Sequence, residues 1–206
     1  NLTEKLKVRF QQDFTTPDLP GPYGTGGWTA NDQSVLLYDE FDIWEVKPDG
    51  TGARLLTNGD GRKQNVAFRY RSLDPEERVV PATKPMLLSA TDSRTRATGF
   101  YRMAPTAPPQ PEKAGTPTKA SGAASKATKV EPAASLVLSF AAPEKITMLD
   151  KAIGALTKAL KSEAIVFTLS RFEEFPDLWT ISDITFRDMK KVSNANPQQA
   201  EFVWGR

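Results

Sequence analysis

One repeat constrains this chain more than any other feature: Asp42-Ile43-Trp44 returns as Asp177-Leu178-Trp179. Each triplet follows a hydrophobic run, Val35–Tyr38 in the first copy and residues 165–169 in the second. Each is succeeded by a turn and a closing element, Arg54-Leu55-Leu56-Thr57-Asn58 or Lys191-Val192-Ser193-Asn194. Thr57 lies 13 residues after Trp44, and Ser193 lies 14 after Trp179. Between the copies, residues 86–90, the polar turn 91–97 and residues 99–103 read as a third strand–turn–strand unit. A unit too small to cover its own sheet face, repeated in series, signals a radial or stacked repeat.

The remaining pattern agrees. Residues 35–46 are rich in β-branched and aromatic side chains and run into Pro48-Asp49-Gly50. That triplet combines a fixed φ, an Asx acceptor and a residue tolerant of positive φ, so it makes a tight turn. Further strands are expected at 66–70, 86–90, 99–103, 136–140, 146–149, 164–169, 177–181 and 202–204. One amphipathic helix is expected over 151–161, where Ile153, Leu156 and Leu160 fall at helical spacing. Many short strands at close spacing give an all-β fold class, and the repeat selects a partial β-propeller of three to four antiparallel blades. The twin triplets should occupy equivalent places in adjoining sheets.

Composition divides the chain. Residues 104–135 hold nine Ala, six Pro and four Lys, with no aromatic and only Val130 as a large aliphatic. Such a stretch buries too little apolar area to offset chain entropy, so it reads as a disordered insertion. Residues 1–103 are then one set of blades and 136–206 the last blades. Both ends fall in mid-pattern and read as cut points in a longer protein. Sheet edges left without partners would make the isolated chain prone to aggregation.

Charge and residue usage narrow the chemistry. With 27 basic and 25 acidic residues the net charge is +2, which gives no strong field toward nucleic acid or anionic membrane. There is no cysteine, which removes disulfides and thiolate metal sites and leaves the redox compartment open. No metal or cofactor is expected. Asp39, Glu40 and Asp42 cluster, but Asp42 is better used accepting backbone N–H bonds at the start of a strand, since Asp177 recurs there. Gly24-Thr25-Gly26-Gly27 lacks the Lys-Ser/Thr of a phosphate loop and reads as a flexible loop. Asn58-Gly59-Asp60-Gly61 fails as a calcium loop, because Leu56 and Ala67 stand where carboxylates are required, and reads as a turn. Arg62 and Lys63 beside it are interface candidates. Arg69-Tyr70-Arg71 fits strand alternation, and the four tryptophans fit packing between blades.

Tyr38-Asp39-Glu40-Phe41-Asp42-Ile43-Trp44, Lys47-Pro48-Asp49-Gly50, Leu56-Thr57-Asn58-Gly59, Leu88-Ser89-Ala90 and Gly99-Phe100-Tyr101-Arg102 resemble the propeller of bacterial prolyl oligopeptidase-family serine peptidases. Phe172-Glu173-Glu174-Phe175-Pro176-Asp177-Leu178-Trp179 and Asn194-Ala195-Asn196-Pro197-Gln198-Gln199 are similar to the last blade before the catalytic domain. The resemblance implies a propeller that gates peptide substrates for an α/β-hydrolase domain beginning soon after Arg206. It also makes Glu173 and Glu174 candidates for holding a substrate ammonium, but they stand just before Phe175-Pro176-Asp177-Leu178-Trp179, where the resemblance implies an inter-strand turn, and a solvated turn is the favoured reading. The chain has no Gly-x-Ser-x-Gly elbow and no histidine. A Ser-His-Asp triad needs an imidazole to carry the serine proton, so this chain alone should be inactive and no catalytic residue is expected in it. The competing class is a non-catalytic propeller of the TolB or WD-repeat type, acting as a protein-binding scaffold.

Overall fold

A computed structural model describes residues 2–13, 19–106 and 138–203, and the part of the alanine- and proline-rich segment from 107 to 137 lies outside them. The described residues form three antiparallel sheets taken in chain order. The first is a meander of β1 (Thr25–Trp28), β2 (Val35–Tyr38), β3 (Ile43–Val46) and β4 (Ala53–Leu55). A five-residue helix, α1 (Asp60–Gln64), leads to the second sheet. That sheet is β5 (Val66–Arg71), β6 (Met86–Asp92), β7 (Thr98–Met103) and β8 (Glu144–Leu149). The third contains β9 (Ala152–Ile153), β10 (Thr157–Lys158), β11 (Ile165–Arg171), β12 (Glu174–Ile181) and β13 (Lys190–Lys191), with both β9 and β10 on β11.

Strand alternation stacks these sheets. Successive side chains point to opposite faces, so β6 sends Met86, Leu88 and Ala90 one way and Leu87 the other. The first set joins Leu36, Tyr38 and Ile43 of the first sheet in one core. Leu87 joins Phe100 and then Ile165, Phe167, Leu169 and Ile181 of the third sheet in a second core. The middle sheet is therefore covered on both faces. The twin triplets belong to the first and third sheets with the second between them, so they are not in adjoining sheets. In the second sheet, β7 carries Gly99-Phe100-Tyr101 in place of the triplet.

The repeat has a local physical cause. Asp42 is buried, and its carboxylate accepts the Thr57 hydroxyl at 2.6 Å, the Gly61 N–H at 3.0 Å and the Arg62 N–H at 3.1 Å. Thr57 Oγ1 in turn accepts the Ile43 N–H at 3.2 Å. Asp177 accepts the Ser193 hydroxyl and the Ala195 N–H, each at 2.7 Å, and Ser193 Oγ accepts the Leu178 N–H at 2.8 Å. In both clamps the backbone closes alike: Leu56 N–H donates to Ile43 O, and Val192 N–H donates to Leu178 O, each at 2.9 Å. The clamp locks the third strand to the chain leaving the fourth, satisfying donors that would otherwise be buried unpaired. Gly61 is required there, because a Cβ would sit 2.7 Å from Phe41 O and 2.9 Å from Asp42 Oδ1.

Other expectations are corrected. Residues 151–161 form β9 and β10, not a helix: Ile153 pairs with Leu169, Gly154 breaks the helical run, and Leu160 is exposed. A short segment with an interior glycine gains little as a helix, whereas β11 offers it a ladder. Residues 24–27 are not a flexible loop but enter β1, where Gly26 is bulged and a Cβ would lie 2.8 Å from the Tyr38 hydroxyl. Of the turn expected at residues 58–61, Asn58 and Gly59 are in a turn, whereas Asp60 and Gly61 open the helix α1. Of the strand expected at 202–204, Phe202 and Val203 follow a 3-10 turn (Pro197–Glu201) and belong to no strand, and Trp204 lies outside the described residues. The strand expected at 136–140 survives only as a bridge from Phe140 to Pro105, with residues 136 and 137 outside the described set. That bridge, with Thr106 N–H on Ser139 O at 3.0 Å, makes a paired stem at the base of the segment 107–137.

Candidate functional site

A cleft of about 460 Å³ lies between the second and third sheets. The end of β5 brings Arg71, Ser72 and Leu73 to one wall, and β6 and β7 add Ser89, Thr91 and Phe100. The opposite wall is the Gly154-Ala155-Leu156 connection between β9 and β10. This connection is tied to both sheets at its start: Ile153 N–H donates to Thr98 Oγ1 of β7 at 3.1 Å, and Gly154 N–H donates to Thr168 O of β11 at 2.9 Å. Leaving the ladder there opens the cleft.

Its electrostatics are simple. Arg71 lines the cleft, and its Nε donates to Ser89 Oγ at 3.1 Å. No carboxylate is paired with Arg71 among the described residues. A guanidinium beside hydroxyls, over an apolar floor of Leu73, Phe100 and Leu156, suits a carboxylate or carbonyl on a partly apolar chain. The serine and threonine hydroxyls of the cleft have no imidazole or thiolate beside them, because the sequence contains neither histidine nor cysteine. Among the described residues, no group of three or more acids could hold a metal ion. No described helix is long and apolar enough to cross a membrane.

The residues singled out from sequence are placed as follows. Glu173 and Glu174 sit at the β11–β12 hairpin turn, away from this cleft. Glu174 is paired with Lys151, and Glu173 lies 4.0 Å from Arg171, which also reaches Asp150 at 3.5 Å. A shallower recess beside them, about 330 Å³, is lined by Arg96, Asp150, Lys151 and Arg171. Asp39 and Asp42 are buried, and Asp39 accepts the Phe41 and Asp42 N–H groups and the Trp44 indole N–H at 2.8, 2.7 and 3.0 Å. Their lone pairs serve the backbone. Arg62 lies 5.2 Å over the Phe41 ring and 3.3 Å from Asp39, and Lys63 pairs with Asp60 at 2.9 Å. Arg69 stands over the Tyr38 ring at 4.8 Å and the Tyr23 ring at 5.8 Å, where burial lowers its pKa. Burial likewise raises the Tyr38 hydroxyl, which accepts the Tyr70 N–H at 3.1 Å.

Sequence reasoning missed Arg71 as a cleft residue. Alternation along 66–71 placed it on a strand, but the cleft depends on where residues 154–156 leave the third sheet. No protein-family model matches the chain, and neither the curated proteins nor the solved structures contain a match.

Proposed function

We propose that this chain is the propeller portion of a prolyl oligopeptidase-like serine peptidase, gating and orienting peptides for an α/β-hydrolase domain outside residues 1–206. The observation that carries the reading is the twin clamp. Asp42–Thr57–Ile43 and Asp177–Ser193–Leu178 repeat the same hydrogen bonds at the third strand of two sheets in one stack. Serial four-stranded meanders tied alike are what a radial repeat requires. The family resemblance of the motifs around those clamps supplies the peptidase half. In this reading the cleft beside Arg71 lies along a substrate path, with the guanidinium receiving a peptide carboxylate or carbonyl. The contribution is selection, not chemistry.

The experiment is activity labelling of the parent polypeptide with a fluorophosphonate, which reports an activated serine. The expected result is one labelled serine outside residues 1–206, with cleavage of short peptides and sparing of folded proteins. Arg71→Ala should then raise KM for peptides more than it lowers kcat. A parent protein with no labelled serine sinks the peptidase reading and favours a scaffold propeller of the TolB or WD-repeat kind.

A further inference from the structure

The clamps also fix a correspondence between the first and third sheets, residue by residue. Ile43 follows Asp42 as Leu178 follows Asp177. Leu56 bonds to Ile43 as Val192 bonds to Leu178. Leu36 is two residues before Tyr38, the partner of Ile43, and Val166 is two before Thr168, the partner of Leu178. The trio Leu36, Ile43 and Leu56 therefore corresponds to Val166, Leu178 and Val192.

Their surroundings are opposite. Leu36, Ile43 and Leu56 are 0%, 0% and 7% exposed, packed against the second sheet. Val166, Leu178 and Val192 are 40%, 44% and 54% exposed. The stack also has a direction. Trp44 is on the face of the first sheet turned away from the second, where Phe10 meets it edge-on at 5.9 Å. Trp179 is on the face of the third sheet turned toward the second, packed on its core. The first and third sheets thus turn their tryptophan faces backward in chain order and their aliphatic faces forward, and in the second sheet Tyr101 faces backward and Phe100 forward. The forward face of the third sheet continues an interface the chain already makes once, between its first sheet and its second.

The backbone past the second clamp points the same way. Val66, which opens β5, lies nine residues beyond Thr57, and Phe202 lies nine beyond Ser193. Both follow a short helical segment, α1 in one case and the 3-10 turn Pro197–Glu201 in the other. Phe202 has extended backbone (φ −101°, ψ 143°). Val66 is 4% exposed, whereas Phe202 and Val203 are 63% and 103% exposed.

We infer that the forward face of the third sheet, centred on Val166, Leu178 and Val192, docks a fourth antiparallel sheet of the same repeat, supplied in the same polypeptide by chain whose first strand starts at Phe202. This rests on the propeller half of the proposed function and not on its peptidase half. It differs from the resemblance in one respect: a further sheet, not the hydrolase, comes directly after residues 202–206.

The test compares residues 1–206 with the parent polypeptide read on in frame, by hydroxyl-radical footprinting and thermal melting. The expected result is labelling of Val166, Leu178, Val192 and Phe202 in the shorter chain and its loss in the longer one. Leu178→Lys should leave the melting temperature of the shorter chain unchanged and lower that of the longer one, while Ile43→Lys lowers both. Unchanged labelling in the longer protein, or a stop codon directly after Arg206, overturns the inference. Protection that grows with concentration in the 206-residue chain overturns it in favour of a second copy. Protection in a longer protein that carries no fluorophosphonate-reactive serine upholds the docking face while the peptidase reading falls.

Discussion

The Thr57 hydroxyl donates to the Asp42 carboxylate at 2.6 Å and at the same time accepts the Ile43 N–H. The two side chains form one device, since the acid takes the hydroxyl proton and so turns the oxygen lone pairs toward the strand N–H. Replacing Asp42 with Ala leaves Thr57, Gly61 and Arg62 donors buried without their acceptor. Hydrogen bonds to a charged group each contribute roughly 1.5–3 kcal/mol and losses within one network do not add, so Asp42→Ala should cost about 3–5 kcal/mol. Thr57→Val, which keeps the shape and loses the hydroxyl, should cost about 1–2 kcal/mol. The urea midpoint of each variant and of the double variant checks this. A double variant as unstable as the sum of the singles would show that the two side chains act independently.

The second clamp carries a pH signature. Asp177 is held down at about 2, first by Lys191, whose Nζ is 2.5 Å from the carboxylate, then by the Ala195 N–H and the Ser193 hydroxyl. An unfolded aspartate titrates near pH 3.9, so the folded chain favours the ionised form. That contribution to stability is fully present above about pH 4 and is lost as pH falls toward 2. Melting temperature measured from pH 5 to pH 2 should fall across that window. Asp177→Asn should flatten the fall, and Lys191→Ala should move it to higher pH. An Asn variant with the same acid slope as the parent would assign the loss to other carboxylates.

Much of this organisation was legible in the residues, and the reason is local. Asp42-Ile43-Trp44 and Asp177-Leu178-Trp179 announce themselves because the clamp needs an acid, a strand N–H and a hydroxyl at nearly fixed separations. Runs such as Val35–Tyr38 and Met86–Asp92 are rich enough in apolar residues to mark strands. What could not be read depends on partners distant in sequence. Ile153 and Leu156 keep helical spacing, yet Leu169 and Thr168 draw that segment into the third sheet and Thr98 ties it to the second. Gly26 and Gly27 look like loop residues because glycine is permissive, whereas Gly26 is there to let Tyr38 approach. Arg71 became a cleft residue only through a connection more than eighty positions away. Order along the chain was visible, and convergence across sheets was not.

Phe186 joins the second and third sheets at a conformational cost. It is buried, stacks on Phe100 with centroids 4.7 Å apart, and meets Phe167 at 5.5 Å, yet its φ is 56°. Positive φ in a bulky residue is disfavoured by about 1–3 kcal/mol and persists only where its surroundings hold it. The holding groups flank it: Asp183 accepts the Thr185 N–H at 2.7 Å, and Asp188 accepts the Ser182 N–H at 3.1 Å. Phe186→Ala should lose about 3–5 kcal/mol, because the ring leaves a cavity between sheets that cannot close independently. Phe186→Gly removes the same ring but also removes the steric objection to positive φ. In ordinary positions glycine is the less stable of the two by roughly 0.5–1 kcal/mol. Here the order should reverse, with the glycine variant melting at or above the alanine variant. Finding alanine clearly the more stable would mean that the backbone at 186 relaxes out of the left-handed region once the ring is gone.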